Sequence, residues 1–146
     1  MTATKNLASL VIKNDLAEMA RVSEIVEDLG QKHGVSAEAL YAVNLALEEI
    51  LVNVISYGYA DDGEHQIIVR FDVDAGDFVT EIEDDAKPFN PLETPPPDVE
   101  APLAEKPLGG LGIHLTRTMM DSVAYRRERG KNILAMRKKI ASDHQG

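Results

Sequence analysis

The chain has 146 residues, 44% hydrophobic and 27% charged, a size and composition that give one globular domain with a real core and exclude a disordered or fibrous chain. It has no cysteine, which excludes disulfides and thiolate chemistry and suits a reducing compartment, and its net charge of −10 argues against nucleic acid as the main partner, because phosphate binding needs clustered Lys and Arg. No uninterrupted apolar run approaches the ~20 residues of a membrane span and the N-terminus lacks the apolar stretch of a signal peptide, so the expected location is the cytoplasm, with no membrane contact.

A short first strand is expected over LASLVIK, residues 7–13. From about Asp15 to His33 apolar residues recur at helical spacing (Leu16, Met19, Ala20, Ile25, Val26, Leu29), with Asp15 as N-cap and Gly30 and Gly34 bracketing the stop. A second helix is expected from Ser36 to about Tyr57, ended by Gly58. Alternation then predicts two strands. Ile67, Val69, Phe71 and Val73 share one face of the first; after an AGD turn, Phe78, Thr80, Ile82 and Asp84 share one face of the second.

All seven prolines lie between Pro88 and Pro107, where neither a helix nor a central strand can run through. Regular patterns resume on both sides, so the segment at about residues 88–108 reads as a lid within a single domain of residues 1–146. GLGIHLTRTMMD follows as a short helix with a glycine entrance, and SVAYRRE and ILAMRKK form a hairpin about RGKN. The basic residues of that hairpin read as a local basic patch or as a solvated strand face. Strands grouped around paired helices predict an α+β fold: a two-layer sandwich of one mostly antiparallel mixed sheet with helices on one face.

At about 100° per residue, Leu40, Val43, Leu47, Ile50, Leu51 and Val54 fall in one stripe of the second helix, the core face, and Glu48 falls opposite. Glu49 and Asn53, four apart, lie on the flank with Ala42 and Ala46, a shelf where a ligand could sit. The plainer reading makes Glu49 a boundary residue and Asn53 a hydrogen-bond partner for a loop. Asp84 follows Ile82 inward, where a carboxylate needs a donor, either turn N–H groups or an amino group of a ligand. The glycines of LGGLGIHL open a helix whose free N–H groups attract phosphate, although such clusters are also simply turns. His33, His65, His114 and His144 have no ligand-like spacing, so zinc is not expected, and none has the context of a phosphoacceptor.

In this order, an acid/amide helix, an Asp-ended strand, a Pro-rich lid and a glycine-opened helix resemble the Bergerat ATP-binding fold shared by gyrase, Hsp-type chaperones and sensor histidine kinases. The closest likeness is to the small anti-sigma factor serine/threonine kinases of bacteria. EEILVNVISYGY is similar to their first box, DDAKPFNP to the second and GGLGIHLTRTMMDSVAY to the third, so the resemblance covers nearly the whole chain.

The resemblance implies ATP and Mg²⁺ as cofactors. It gives Glu49 the role of general base or of orienting the nucleophile, Asn53 that of holding Mg²⁺, and Asp84 that of accepting from the adenine amino group. The third box, Gly109, Gly110, Leu111, Gly112, Ile113 and His114, would wrap the phosphates, and Asn132 would stand where the family often has a hydroxyl residue near adenine. Ala86 departs from the glycine usual two residues after the second-box Asp; it is expected to be tolerated at negative φ and to narrow the pocket otherwise. Lys87 and Lys106 flank the site, reaching phosphate or facing solvent.

The activity implied is an ATP-dependent serine/threonine protein kinase that acts as an anti-sigma regulatory factor. It would phosphorylate an anti-anti-sigma antagonist in a partner switch involving a sigma factor, and dimers being common in the family, a homodimer is implied. Two alternatives stand beside it: a non-catalytic ATP-binding module that sequesters its partner, and an α+β domain without nucleotide.

Overall fold

The computed structural model describes residues 5–61, 63–90, 92 and 116–140. The expected lid beyond Leu92, Lys106, the glycine-rich opening of the third box and His144 lie outside these residues. Strands β1 (Lys5–Lys13), β2 (Gln66–Asp74), β3 (Asp77–Asp84), β4 (Ser122–Glu128) and β5 (Lys131–Lys139) form one sheet in the order β1-β2-β3-β5-β4. Every pairing among the described residues is antiparallel, so the mixed component expected of the sheet is not found there.

Two hairpins set the register around the future site. Ala75 and Gly76 (φ 52° and 83°) join β2 to β3, and Arg129 and Gly130 (φ 52° and 77°) join β4 to β5. Two consecutive positive φ values mark the tight turn whose twist matches the flanking strands. The second turn is therefore shorter than RGKN: Lys131 and Asn132 already belong to β5, and Asn132 pairs with Asp84 across the ladder. On β3 the expected face holds, with Phe78, Thr80, Ile82 and Asp84 all buried.

Asp15 caps a 3₁₀ turn (Leu16–Glu18), its Oδ1 accepting from the Ala17 N–H at 2.9 Å, and α1 begins only at Met19 and runs to Lys32. The helix ends at Lys32, between Gly30 and Gly34 as expected, but Gly30 itself does not end it. That glycine lies within α1, where a side chain would collide with Leu40 of the next helix, so its role is close helix packing. Gly34 (φ 69°) takes the left-handed position that follows the helix.

Ser36 caps α2 (Ala37–Tyr57), its Oγ accepting from the Ala39 N–H at 3.1 Å, and Gly58 closes it. By length and composition α2 could cross a membrane. Its buried face instead forms the core, where Val43, Leu47 and Leu51 join Ile67, Val69, Phe71 and Phe78 of the sheet. Residues 116–119 are helical and lead, through buried Met120, into β4.

The late basic residues are engaged on and around the sheet. Arg137 reaches Asp74 and Asp77 (both 2.9 Å), Arg126 reaches Glu81 and Glu128 (3.7 and 3.3 Å), and Lys138 donates to the Met119 carbonyl. The solvated, ion-paired strand face is thus the form the sequence takes, each exposed pair worth at most about 1 kcal/mol.

Candidate nucleotide site

The C-terminal half of α2, the end of β3 and the β4–β5 hairpin enclose a pocket of about 200 Å³. Ile50, Val54, Ile82 and Leu134 give it apolar walls, Tyr57 and Phe89 stand half-exposed on its lining, and Asn53, Asp84 and Asn132 supply the polar groups. An apolar cleft with a few convergent polar groups is the usual form of a small-molecule site.

Asp84 is only 5% exposed. Its Oδ1 accepts from the Ala86 N–H (3.0 Å) and from Asn132 Nδ2 (2.9 Å), so the turn-capping role weighed from sequence is real. Both bonds go to the same oxygen, and no described residue donates to Oδ2. Burial pushes the Asp84 carboxyl above the ordinary range, an effect partly offset by those two donors and by the more distant Arg127 charge.

Asn132, 6% exposed, is the hub of the hairpin side. Its Nδ2 also donates to the carbonyls of Lys87 (3.0 Å) and Ala86 (3.3 Å), while its Oδ1 accepts from Tyr125 Oη and from Arg127 Nη1 (2.9 Å). Ala86 is not among the described positive-φ residues, the condition under which an alanine was expected to be tolerated there. Lys87 lines the pocket but its side chain is exposed, as a solvated lysine would be.

Asn53 lines the pocket with a buried Nδ2 that has no hydrogen-bond partner among the described residues. Glu49, half-buried one turn before it on the same line of α2, is not among the lining residues. The shelf expected beside Ala42 and Ala46 does not exist: both are in the core, 4% and 1% exposed, because the buried surface wraps further round α2 than the apolar stripe alone indicates. Open space begins only at Ile50 and Asn53. Glu48 is exposed, as expected.

The amide of Asn53 passes one test for Mg²⁺. Its orphaned atom is the Nδ2 donor, so the test met is one of donor type alone: an amide also carries a carbonyl oxygen, a hard ligand of the kind Mg²⁺ takes. Among the described residues no group of three acidic or histidine side chains could cage a metal, so the fit is to an ion held mainly by phosphate oxygens and water.

Tyr125, Arg127 and Phe89 were not singled out from sequence, and Tyr57 and Gly58 only as the end of α2. The hairpin held the signal for one of them: with a two-residue turn at Arg129-Gly130, Arg127 falls opposite Asn132. His65, read from sequence only as lacking ligand-like spacing, sits in a cluster beside the end of β3. Its ring stacks on Tyr59 at 4.0 Å, its Nε2 meets Asp61 Oδ1 at 2.8 Å, and its Nδ1 lies 3.7 Å from Asp85. Among the described residues the Tyr59 hydroxyl is buried with no partner at full hydrogen-bonding geometry, and burial first, then the Asp84 charge and the nearby Asp85 carboxylate, raises its pKa.

Residues 12–138 match the model of the histidine kinase-like ATPase domain family. Serine-protein kinase RsbW of Bacillus cereus is 24% identical over 109 residues, covering 73% of this chain and 68% of that protein; RsbW of Bacillus thuringiensis subsp. konkukian has the same identity and coverage. Among solved structures, the RsbU and RsbW domains of a Mycobacterium tuberculosis protein superpose with a TM-score of 0.63 at 13% identity, covering 92% of this chain. The present chain spans only 33% of that one. The Acinetobacter baumannii histidine kinase AdeS gives a TM-score of 0.50 at 15% identity, with 93% of this chain and 70% of that one covered. Both structural likenesses speak to the fold, which is the α+β ATP-binding fold expected from the three boxes.

Proposed function

Because the chain belongs to the histidine kinase-like ATPase domain family, we propose that this pocket binds the adenine of ATP and that the protein is a serine/threonine kinase of the anti-sigma type. Its substrate would be an anti-anti-sigma antagonist, and its regulated partner a sigma factor, in the cytoplasm. The observation that carries the reading is Asp84, a buried carboxylate whose two donors among the described residues both occupy one oxygen, which leaves the other for an exocyclic amino group. The similarity to proteins named serine-protein kinase RsbW supports the choice of activity.

In this reading Ile50, Val54, Ile82 and Leu134 pack against the base, and Tyr57 and Phe89 border it on the open side. Asn53 holds Mg²⁺, which supplies charge neutralisation at the phosphates when bound. Phosphoryl transfer asks the protein mainly for positioning and electrostatics. Glu49, one turn from Asn53, orients the incoming hydroxyl or accepts its proton. The glycine-rich third box takes the phosphates.

Glu49 stands outside the described pocket lining, and this favours a second reading, a module that binds ATP and sequesters its partner without phosphorylating it. A transfer assay with labelled ATP and the antagonist separates the two. A kinase loses transfer in Glu49→Ala while keeping ATP, whereas sequestration is insensitive to that change. An unchanged melting temperature at millimolar Mg–ATP would exclude both readings.

A further inference from the structure

The two edges of the sheet are finished differently. At the β1 edge, Arg21 Nη1 donates to the outward Val11 carbonyl (3.2 Å) and Glu18 Oε2 accepts from the outward Lys13 N–H (2.8 Å), so the 3₁₀ turn and α1 close that side. Covering an edge stops a sheet from growing. The β4 edge is open. With a two-residue turn at Arg129 and Gly130, Glu128 and Lys131 form the hydrogen-bonded pair beside it, followed alternately by Arg126 with Ile133 and Ala124 with Ala135. The N–H and C=O groups of the intervening Val123, Tyr125 and Arg127 therefore point away from β5, and no described residue bonds to them.

The side chains along this edge carry a pattern. Val123 and Tyr125 are half-buried against the core, and Arg126 is exposed on the opposite face. At the turn, Arg129 and Lys131 have no carboxylate partner among the described residues, and the Arg127 guanidinium donates to an amide and to carbonyls. The hairpin tip is thus a positive feature on a chain of net charge −10. We propose that the β4 edge is a docking site for an extended acidic segment of a partner protein, which joins the sheet as a further strand of alternating carboxylate and apolar side chains. Main-chain bonds to Val123, Tyr125 and Arg127 hold that strand, and its apolar side chains continue the row of Val123 and Tyr125. Its carboxylates meet Arg126 on the other face and Arg129 and Lys131 at the turn. A second copy of this chain fits less well, because pairing β4 with β4 gathers two basic hairpins along one sheet. This docking stands whether or not the pocket takes a nucleotide.

The probe is a capped peptide of about eight residues in which Glu and Val alternate, long enough to run along β4. Titrated into the isotope-labelled full chain, it should shift the amide resonances of β4 and slow hydrogen exchange at Val123, Tyr125 and Arg127, with β1 unchanged. Raising salt from about 50 mM to about 500 mM should weaken it about fivefold or more, since the attraction is between exposed charges. Val123→Pro removes one outward N–H and no ladder bond, and should weaken the peptide about tenfold; Val11→Pro, its counterpart on the closed edge, should not.

Should Val123→Pro fail to fold, the same peptide with every backbone N–H methylated keeps its charge, loses its strand donors and should not bind. Unweakened binding of that methylated peptide overturns the proposal, as does full binding by a folded Val123→Pro. Equal binding of a Lys and Val peptide, shifts confined to places other than β4, or no binding at millimolar peptide overturns it too. Sedimentation of the free chain as a dimer that Val123→Pro abolishes would give the edge to a second copy, and overturns it as well.

Discussion

Gly58, at the end of α2, and Ala86, two residues beyond the end of β3, meet so closely that a β-carbon on Gly58 would collide with that of Ala86. A β-carbon on Gly58 would lie 2.9 Å from Ala86 Cβ and 2.6 Å from the Val54 carbonyl oxygen. Gly58 has φ −79°, so space and not backbone conformation calls for glycine there. Its carbonyl also accepts from the Lys87 N–H at 3.1 Å. This contact ties the helix that carries Asn53 to the turn that carries Asp84.

Gly58→Ala is accordingly expected to destabilise the fold by about 1–3 kcal/mol, the usual cost of forcing a methyl into packed space. It should also weaken ATP binding, because the Asp84 turn must move. Ala86→Gly alone should be mild, and together with Gly58→Ala it should recover part of the loss. The clash with Val54 remains, so recovery stays incomplete. Urea unfolding of the two single variants and the double variant measures the coupling; strictly additive effects would contradict the contact.

Asp84 is predicted to hold its ligand acceptor at the expense of stability. Its carboxyl is raised, chiefly by burial, so the fold favours the protonated form. The stabilisation of that form is fully present below the ordinary value of 3.8 and is lost as pH rises through the raised one. Asp84→Asn keeps an oxygen for both donors and has no charge to bury. Its melting temperature should exceed that of the unmutated protein near neutral pH by a few degrees, on the order expected for one such group. The gap should narrow as pH falls toward the ordinary carboxylate range. A gap independent of pH would reject burial as its cause.

Much of this was legible from sequence, for a physical reason. Alternation along residues 78–84 gave the buried face of β3, and Asp84 at its end followed necessarily. Ser36 and Gly58 marked the ends of α2 because capping is local chemistry. Ala42 and Ala46 misled because helical periodicity gives an angle around the axis and not what packs against it. Tyr125 and Arg127 carried no signal of their own in the sequence, since their contacts with Asn132 arise only when the hairpin register sets them beside it.

The His65 side chain is expected to titrate above its ordinary value of 6.5, chiefly because of its hydrogen bond to Asp61, with smaller help from Asp85. A raised histidine value means that the stabilisation from the protonated ring is fully present below 6.5 and is lost as pH rises through the folded value. NMR titration of the ring protons reads the midpoint directly. Asp61→Asn should lower it, and Asp85→Asn should lower it less. A midpoint at or below 6.5 in the unmutated chain would show that the pairing with Asp61 does not persist in solution.

Asn53 offers the sharpest separation of stability from function. Its Nδ2 is buried without a partner among the described residues, a situation that costs about 1–3 kcal/mol. Asn53→Ala removes that orphan and leaves a smaller side chain on the wall of an open pocket, where little packing is lost. The variant is therefore expected to be as stable as the unmutated protein, or more stable. If Asn53 holds Mg²⁺, the extra thermal shift that Mg²⁺ adds to ATP should disappear in the variant, while the shift from ATP with chelator stays. Proteins commonly carry such unfavourable groups where a ligand uses them. Equal loss of the shift with and without Mg²⁺ would instead place Asn53 against the base or the sugar, and a strong drop in stability would mean that the amide has a structural partner in solution.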